Sequence, residues 1–230
     1  MTELTGMIDS LKGKLVVSVQ AYPGEPMRDP RTMALIAAAA EIGGAAAIRC
    51  QGLGDITAIK GQVSVPVIGL WKEGSDGVFI TPTLRHARAC SAAGADIVAL
   101  DATRRPRPDG LTYAETVTAL HDDGIVVMAD CGSLEDARMA AEAGSDILST
   151  TLSGYSGERK KTVGPDLDLL SQMVEEFDRP VLCEGRVHSP EQARAALDAG
   201  AWSVVVGTAI THPTTITSWF TEALHSSKEQ

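Results

Sequence analysis

Two side chains, Lys72 and Glu184, occupy positions suited to acid–base chemistry, because each directly follows a short apolar run. The runs are Val67–Trp71 and Val181–Cys183, and both have the composition of a buried parallel strand. An ammonium group held away from water loses hydration, which lowers its pKa and makes the neutral amine available as a base or for a Schiff base. A carboxylate at a strand end can act as an acid or a base. We therefore treat both residues as candidate catalytic groups.

Six further residues stand at the same kind of position, directly after a mostly apolar run. They are Gln20, Arg49, Asp101, Asp130, Thr150 and Gly207. In parallel α/β folds the carboxyl ends of the strands meet at one face, where ligands bind. Since all of these residues except Gly207 are polar or charged, we expect them to gather with Lys72 and Glu184 at one mouth.

The same residues allow other interpretations. Lys72 could form an ion pair with a nearby carboxylate and have no other role, and Glu184 could form a salt bridge to Arg49 or Arg186. Asp101 and Asp130 could hold sugar hydroxyls, fix the lysine or share a divalent metal, although no histidine joins them at a strand end. A two-thiol racemase would need Cys131 and Cys50 to face the mouth together. We predict no metal site and no thiol chemistry.

The stretch from Pro180 to Thr208 predicts a place for an anion. Its two apolar runs end in Gly185-Arg186 and Gly207-Thr208, with a helix between them that begins at the cap residue Ser189. Glycine lets backbone N–H groups approach phosphate oxygens closely, and a helix N-terminus adds positive potential. The alternative is that both glycines only form turns.

Strand and helix patterns alternate eight times along the chain, roughly 25 residues apart, which predicts a (β/α)8 barrel. No shift in composition marks a boundary, so we expect residues 1–230 to form a single barrel domain. Met7–Leu11 is expected to close the bottom of the barrel, and the tail through Trp219 and Leu224 to pack as a final helix. His86 and His121 are expected on helix surfaces.

Composition predicts a cytoplasmic protein whose partner is a small molecule. The net charge of −10 argues against nucleic acid and against an anionic membrane as partners. No apolar stretch is long enough to span a bilayer, and the N-terminus lacks the basic and apolar regions of a signal peptide. The four cysteines follow no metal-ligand spacing and are expected to be free buried thiols.

Segments spread over nearly the whole chain resemble those of the N-acetylmannosamine-6-phosphate 2-epimerase family. They are VSVQAYPGEP, AIRCQG, PVIGLWK, FITPT, ALDATRRPRPDG, MADCGS, STTLSGYS, CEGRVHSPEQA and VVVGTAIT. The resemblance implies a (β/α)8 barrel that interconverts N-acetylmannosamine 6-phosphate and N-acetylglucosamine 6-phosphate in sialic acid catabolism, without an organic cofactor.

The resemblance also implies roles for individual residues. Lys72 and Glu184 would be the catalytic pair, and the two glycine-containing pairs at 185–186 and 207–208 would bind the phosphate. Some substrate contacts are implied by the resemblance, and others are expected from the strand ends and from the STTLSGYS segment. Together they are Gln20, Arg49, Asp101, Asp130, Thr150 and Tyr155.

Two functions of other classes are kept as alternatives. One is a lyase in which Lys72 forms a Schiff base with a phosphorylated aldehyde or ketone. The other is a sugar-phosphate sensor without turnover, which the presence of both Lys72 and Glu184 disfavours. The sequence leaves a homodimer open.

Overall fold

Eight parallel strands close into a barrel in the order of the chain, in a computed structural model that describes residues 2–157 and 159–225. The strands are β1 (Leu15–Val19), β2 (Ala47–Gln51), β3 (Val67–Leu70), β4 (Ile97–Asp101), β5 (Val126–Asp130), β6 (Ile147–Ser149), β7 (Val181–Glu184) and β8 (Ser203–Val206). Strand β1 pairs with both β2 and β8, which closes the ring. The predicted (β/α)8 barrel is therefore confirmed.

Helices surround the barrel and connect its strands. They are α1 (Thr2–Asp9), α2 (Pro30–Ile42), α3 (Leu53–Lys60), α4 (Leu84–Ala92), α5 (Tyr113–Asp122), α6 (Leu134–Glu142), α7 (Leu167–Glu176), α8 (Pro190–Asp198), α9 (Thr208–Thr211) and α10 (Pro213–His225). Helix α8 begins as predicted, because the Ser189 side chain accepts a hydrogen bond from the backbone of Gln192. This cap fixes the residue at which α8 begins.

Side chains of each strand alternate between the inside of the barrel and the outer layer under the helices. The inward residues of the lower levels form one apolar cluster, which includes Val16, Ala47, Ile68, Ile97, Val126, Met128, Ile147, Leu182 and Val205. Residues one position along in the chain, such as Val17 and Cys183, belong to the core between sheet and helices. At the carboxyl ends of the strands the inward residues become polar, and this change creates the mouth.

The lower end of the barrel is sealed, as predicted. Leu11 is fully buried in the inner cluster, and Met7 and Ile8 pack against the same cluster. The Trp202 indole donates a hydrogen bond to the carbonyl of Ile8, which ties α1 to the start of β8. Access to the inside of the barrel is therefore from the opposite end.

Two sequence-based expectations about side-chain placement are wrong. His86 is buried, at 2% exposure, because its ring packs edge-on against Trp71 and contacts the Glu73 carboxylate. Leu224 does lie in a final helix, α10, but its side chain is 84% exposed. Among the residues described, no helix combines the length and apolar character needed to cross a membrane.

Candidate active site

A cavity of 320 Å³ opens at the carboxyl ends of the strands, at the size expected for a small-ligand site. Its wall contains most of the residues predicted from the sequence: Gln20, Lys72, Tyr155, Glu184, Gly185, Arg186, Gly207 and Thr208. Those residues come from the loops and ends of five different strands. The structure thus brings both candidate catalytic groups and both glycine pairs to one place.

Arg49 lies beneath the cavity between two carboxylates. Its Nη2 is 2.7 Å from Asp130 Oδ2, and its Nε is 3.2 Å from Glu184 Oε1. Strand β2 extends two residues beyond Arg49, so Arg49 lies within the strand rather than at its predicted end, and it is 1% exposed. One cation therefore holds two acidic side chains together at the floor of the mouth.

Glu184 is the last residue of β7, and its side chain is aimed inward. Burial raises the pKa of Glu184 to about 7, against the opposing effect of the Arg49 charge. A carboxyl group with a pKa near neutrality can both accept and return a proton under physiological conditions. Its position and its pKa would suit an acid–base role.

Lys72 approaches the same cavity from the loop after β3. Burial lowers the pKa of the Lys72 ammonium, and the Arg49 charge lowers it further. The Nζ atom lies 5.7 Å from the centre of the Tyr22 ring, which forms part of the cavity wall. Because the lowered pKa makes the neutral amine more accessible, Lys72 can exchange a proton with a bound molecule.

Gln20 offers an unused polar atom to the cavity. Its Nε2 donates to Ser18 Oγ at 2.8 Å, whereas its Oε1 is buried without a hydrogen-bond partner among the described residues. A buried acceptor of this kind is costly unless a ligand satisfies it. Gln20 is therefore placed to accept a hydrogen bond from a hydroxyl or amide group of a ligand.

The two glycine pairs differ in their surroundings. Gly207 has a φ of −110°, which other residues also adopt, but a Cβ atom there would lie 3.3 Å from Ser18 Cβ. Gly185 has a φ of +107°, which favours glycine. The Arg186 guanidinium donates to the carbonyls of Ser153 and Gly164, so it fastens the loop after β6. Both glycines line the cavity, but Arg186 is engaged by the loop after β6, and a side chain at position 207 would press on Ser18.

Four predicted contact residues do not line the cavity, and two of them, Arg49 and Asp130, form the ion pair beneath it. Thr150 lies on the outward side of its strand, where its hydroxyl donates to the carbonyl of Glu184. Asp101 is fully buried and accepts hydrogen bonds from Thr103 and Arg105. Thr150 misses the cavity because side chains alternate along the strand, and this alternation turns Thr151 rather than Thr150 inward.

Several polar residues of the cavity wall were missed from the sequence, among them Thr151, His212 and Ser18. Thr151 places its hydroxyl 2.7 Å from Asp130 Oδ1 and 3.1 Å from Glu184 Oε2. His212 lines the cavity at 5% exposure, with its ring against Tyr22. Side chains two residues apart on a strand face the same side, so counting two residues on from the inward-facing strand residues would have found Thr151 and Ser18. No local signal marks His212, because it reaches the site after the turn of α9.

The alternatives that rest on thiols or a metal find no support in the geometry. All four cysteines are free and buried, as predicted, and Cys50 and Cys131 lie in the outer core, away from the cavity. Burial raises the pKa of the Cys131 thiol. Asp130 is engaged by Arg49 and Thr151. Within residues 2–157 and 159–225, no group of three His, Cys, Asp or Glu side chains is placed to hold a metal ion.

Comparisons with known proteins identify the family of this chain. Residues 33–226 match the model of a family described as "Putative N-acetylmannosamine-6-phosphate epimerase". A Cutibacterium acnes protein named "Putative N-acetylmannosamine-6-phosphate 2-epimerase" is 62% identical over 95% of this chain and 96% of its own length. A Corynebacterium glutamicum protein of the same name is 49% identical, over 97% and 98%.

A solved structure extends the agreement to three dimensions. The N-acetylmannosamine-6-phosphate 2-epimerase from Clostridium perfringens superimposes with a TM-score of 0.91 at 43% identity, covering 94% of this chain and 96% of that one. Sequence and fold are thus shared over nearly the full length. This chain belongs to the N-acetylmannosamine-6-phosphate 2-epimerase family.

Proposed function

We propose that the protein interconverts N-acetylmannosamine 6-phosphate and N-acetylglucosamine 6-phosphate by removing and returning the proton at C2. The observation that carries this proposal is the meeting of Lys72 and Glu184 at one cavity, with pKa values displaced toward each other. Inverting a carbon next to an aldehyde requires a base on one face and a proton donor on the other. Two such groups in one mouth meet that requirement.

The remaining residues of the site support the charge that develops during the reaction. Removing the C2 proton of the open-chain sugar places negative charge on the neighbouring oxygen, and a fixed cation or hydrogen-bond donor stabilises it. Arg49, held between Asp130 and Glu184, is a buried cation in direct contact with Glu184. We assign the phosphate to the Gly207–Thr208 side, and a hydroxyl or the N-acetyl group to Gln20.

The two alternatives predict different fates for Lys72. A lyase would form a covalent imine between the Lys72 amine and the substrate carbonyl. The lowered pKa of Lys72 would suit that chemistry as well, but Glu184 with its raised pKa is better explained by a two-base epimerisation. A sensor without turnover would bind the sugar phosphate and leave the C2 proton in place.

Proton NMR in heavy water tests the proposal directly. We expect the wild-type protein to convert N-acetylmannosamine 6-phosphate into N-acetylglucosamine 6-phosphate and to replace the C2 proton by deuterium. Lys72→Met should lower both rates at least about 100-fold, as expected for loss of an acid–base group, while substrate still binds. Lys12→Met, at the opposite end of the barrel, serves as the matched control and should leave both rates unchanged.

Other outcomes identify the alternatives. An adduct on Lys72 after borohydride treatment with substrate would establish the lyase, and binding without exchange in the wild type would establish the sensor. Full turnover by Lys72→Met would remove that residue from the mechanism.

The cellular setting follows from the same proposal. We place the reaction in the cytoplasm, where four free thiols stay reduced. The absence of nucleic acid as a partner stays a prediction, and a homodimer stays open.

A further inference from the structure

The segment that carries Lys72 is a short hairpin rather than an open loop. Lys72 pairs with Ile80 in an antiparallel bridge. One step further out, the Glu73 N–H donates to the carbonyl of Phe79 at 3.0 Å. The position of the Lys72 amine therefore depends on how firmly the base of this hairpin is held.

Thr81 closes the base of the hairpin through three of its own groups. Its N–H donates to the Trp71 carbonyl at 2.8 Å, and its hydroxyl accepts from the Trp71 N–H at 3.1 Å. Its carbonyl accepts from Arg107 Nη2 at 2.7 Å. Thr81 is fully buried, so all of these bonds are shielded from water.

Thr81 also has an unusual backbone conformation. Its φ is +48°, which a β-branched residue rarely adopts, and the following Pro82 restricts it further. Backbone strain of this kind persists only where the surroundings enforce it, and it concentrates at functional sites. The three hydrogen bonds of Thr81 provide that enforcement.

Arg107 connects this hairpin to the next strand. It is 6% exposed, and its Nη1 donates to the Asp101 carbonyl at the end of β4, at 3.0 Å. Both of its bonds go to backbone carbonyls, so its planar fork sets the separation between Thr81 and Asp101. Arg107 belongs to the DATRRPRPDG segment, whose residues the catalytic chemistry leaves without a role.

We propose that Thr81 and Arg107 are positioning residues that hold Lys72 at its working distance from the substrate. This inference rests on the proposed function, because it requires Lys72 to act in the reaction. A displacement of about 1 Å can cost roughly 100-fold in rate when a catalytic group must meet a reacting atom. A strained threonine, locked by Arg107, restricts the hairpin more than a glycine at the same φ would, because glycine has many more accessible conformations.

Substitutions that remove single contacts test this role. Thr81→Val deletes the hydroxyl and keeps the branched shape, and we expect kcat to fall about 10- to 100-fold with KM changed less than about threefold. Thr81→Ser restores the hydroxyl and should return kcat to within about threefold of wild type. Arg107→Lys keeps the charge but loses the fork, and should lower kcat in the same way as Thr81→Val.

Thr116→Val is the matched control. Thr116 is equally buried, and its hydroxyl bonds the Thr112 carbonyl in helix α5, away from the hairpin. Its substitution removes the same chemical group and should lower thermal stability with kcat unchanged. Equal losses of kcat in Thr81→Val and Thr116→Val would show that the effect is general destabilisation and would overturn the proposal.

Lys72→Met, assayed in parallel, separates this inference from the function on which it rests. If Lys72→Met is inactive while folded Thr81→Val and Arg107→Lys turn over at the wild-type rate, the positioning role is wrong and the catalytic role stands. If Lys72→Met turns over normally, the proposed function fails, and the positioning role fails with it. Should Thr81→Val not fold, Arg107→Lys decides, and a wild-type kcat in that variant overturns the proposal.

Discussion

The lower and upper levels of the barrel interior are built on the same strands and differ in almost every physical property. On β7, Leu182 points into an apolar cluster, and Glu184, two residues later, points into the mouth. On β5, Met128 and Asp130 stand in the same relation. One level excludes water and carries the packing, whereas the other holds charges that the packing does not need.

The contrast supports our proposal that the upper level is the functional one. Burying carboxylates and a guanidinium costs free energy that their mutual attraction offsets only in part, so apolar side chains would stabilise the fold at least as well. The raised pKa of Glu184 is a direct sign of this cost. Charges kept there despite that cost are explained by chemistry at the mouth.

The largest predicted effect contrasts Glu184 with Leu182 on the same strand. Glu184→Gln should lower kcat at least about 100-fold, because it removes an acid–base group, and should leave the protein folded. Leu182→Ala should lower the free energy of unfolding by about 2–5 kcal/mol, because it leaves a cavity in the core, with kcat within about threefold of wild type. Steady-state kinetics and denaturant unfolding of both variants measure the two effects.

The opposite pattern would break the comparison. If folded Glu184→Gln turned over at the wild-type rate, the charged level would be structural.

The direction in which Glu184 changes stability with pH also follows from its pKa. Because the pKa of Glu184 is higher in the folded than in the unfolded protein, its contribution to the free energy of unfolding is lost as the pH rises from the unfolded pKa toward 7. Glu184→Gln should therefore make the free energy of unfolding depend less on pH over that range.

A smaller effect is expected from two glycines that lie on the two sides of the sheet. Gly207→Val should raise KM for the sugar phosphate more than tenfold, because the side chain blocks close approach of the phosphate to the backbone and removes charge-assisted hydrogen bonds. Gly69→Ala is the control, because its Cβ would lie 2.6 Å from Ala95 under the helices. That variant should lose stability and keep its KM. An unchanged KM in folded Gly207→Val would move the phosphate elsewhere.

Most of the fold and much of the site could be predicted from local patterns. Apolar runs followed by a polar residue marked the strands, because a parallel strand is buried on both faces and its carboxyl end is not. The same rule predicted that Gln20, Lys72, Glu184 and Gly207 lie at the mouth, and all four line the cavity. The rule did not take account of the alternation of side chains along each strand. It therefore predicted Thr150 at the site, whereas the structure turns Thr151 inward.

Other features depend on contacts between distant parts of the chain. His86 was expected on a helix surface because a histidine in a polar helix usually faces water, but the hairpin that carries Lys72 folds over it. His212 and Thr81 likewise acquire their surroundings from residues far away in sequence. No local pattern contains this information, because the closure of the barrel and the paths of its loops create it.

The smallest predicted effect tests the alternation itself, through Thr151 and Thr150. In the proposed mechanism the active Lys72–Glu184 pair holds one proton, whichever group carries it. Protonation at low pH gives the pair a second proton, on Glu184, and activity is then lost. The Thr151 hydroxyl lowers the pKa of Glu184, which burial has raised to about 7. Removing that hydroxyl must therefore raise this pKa further.

Thr151→Val should accordingly move the acid limb of the kcat/KM profile to higher pH, by about 0.4–1 unit for one hydrogen bond of ordinary strength. With a starting pKa of about 7, activity would fall about two- to eightfold at pH 6.5 and less than about twofold at pH 8. Thr150→Val removes an equivalent hydroxyl from the outward side, where it bonds the backbone of Glu184, so it should lower stability and leave the limb in place. A shift of the limb by Thr150→Val but not by Thr151→Val would contradict the inward placement of Thr151, and with it the assignment of this limb to Glu184.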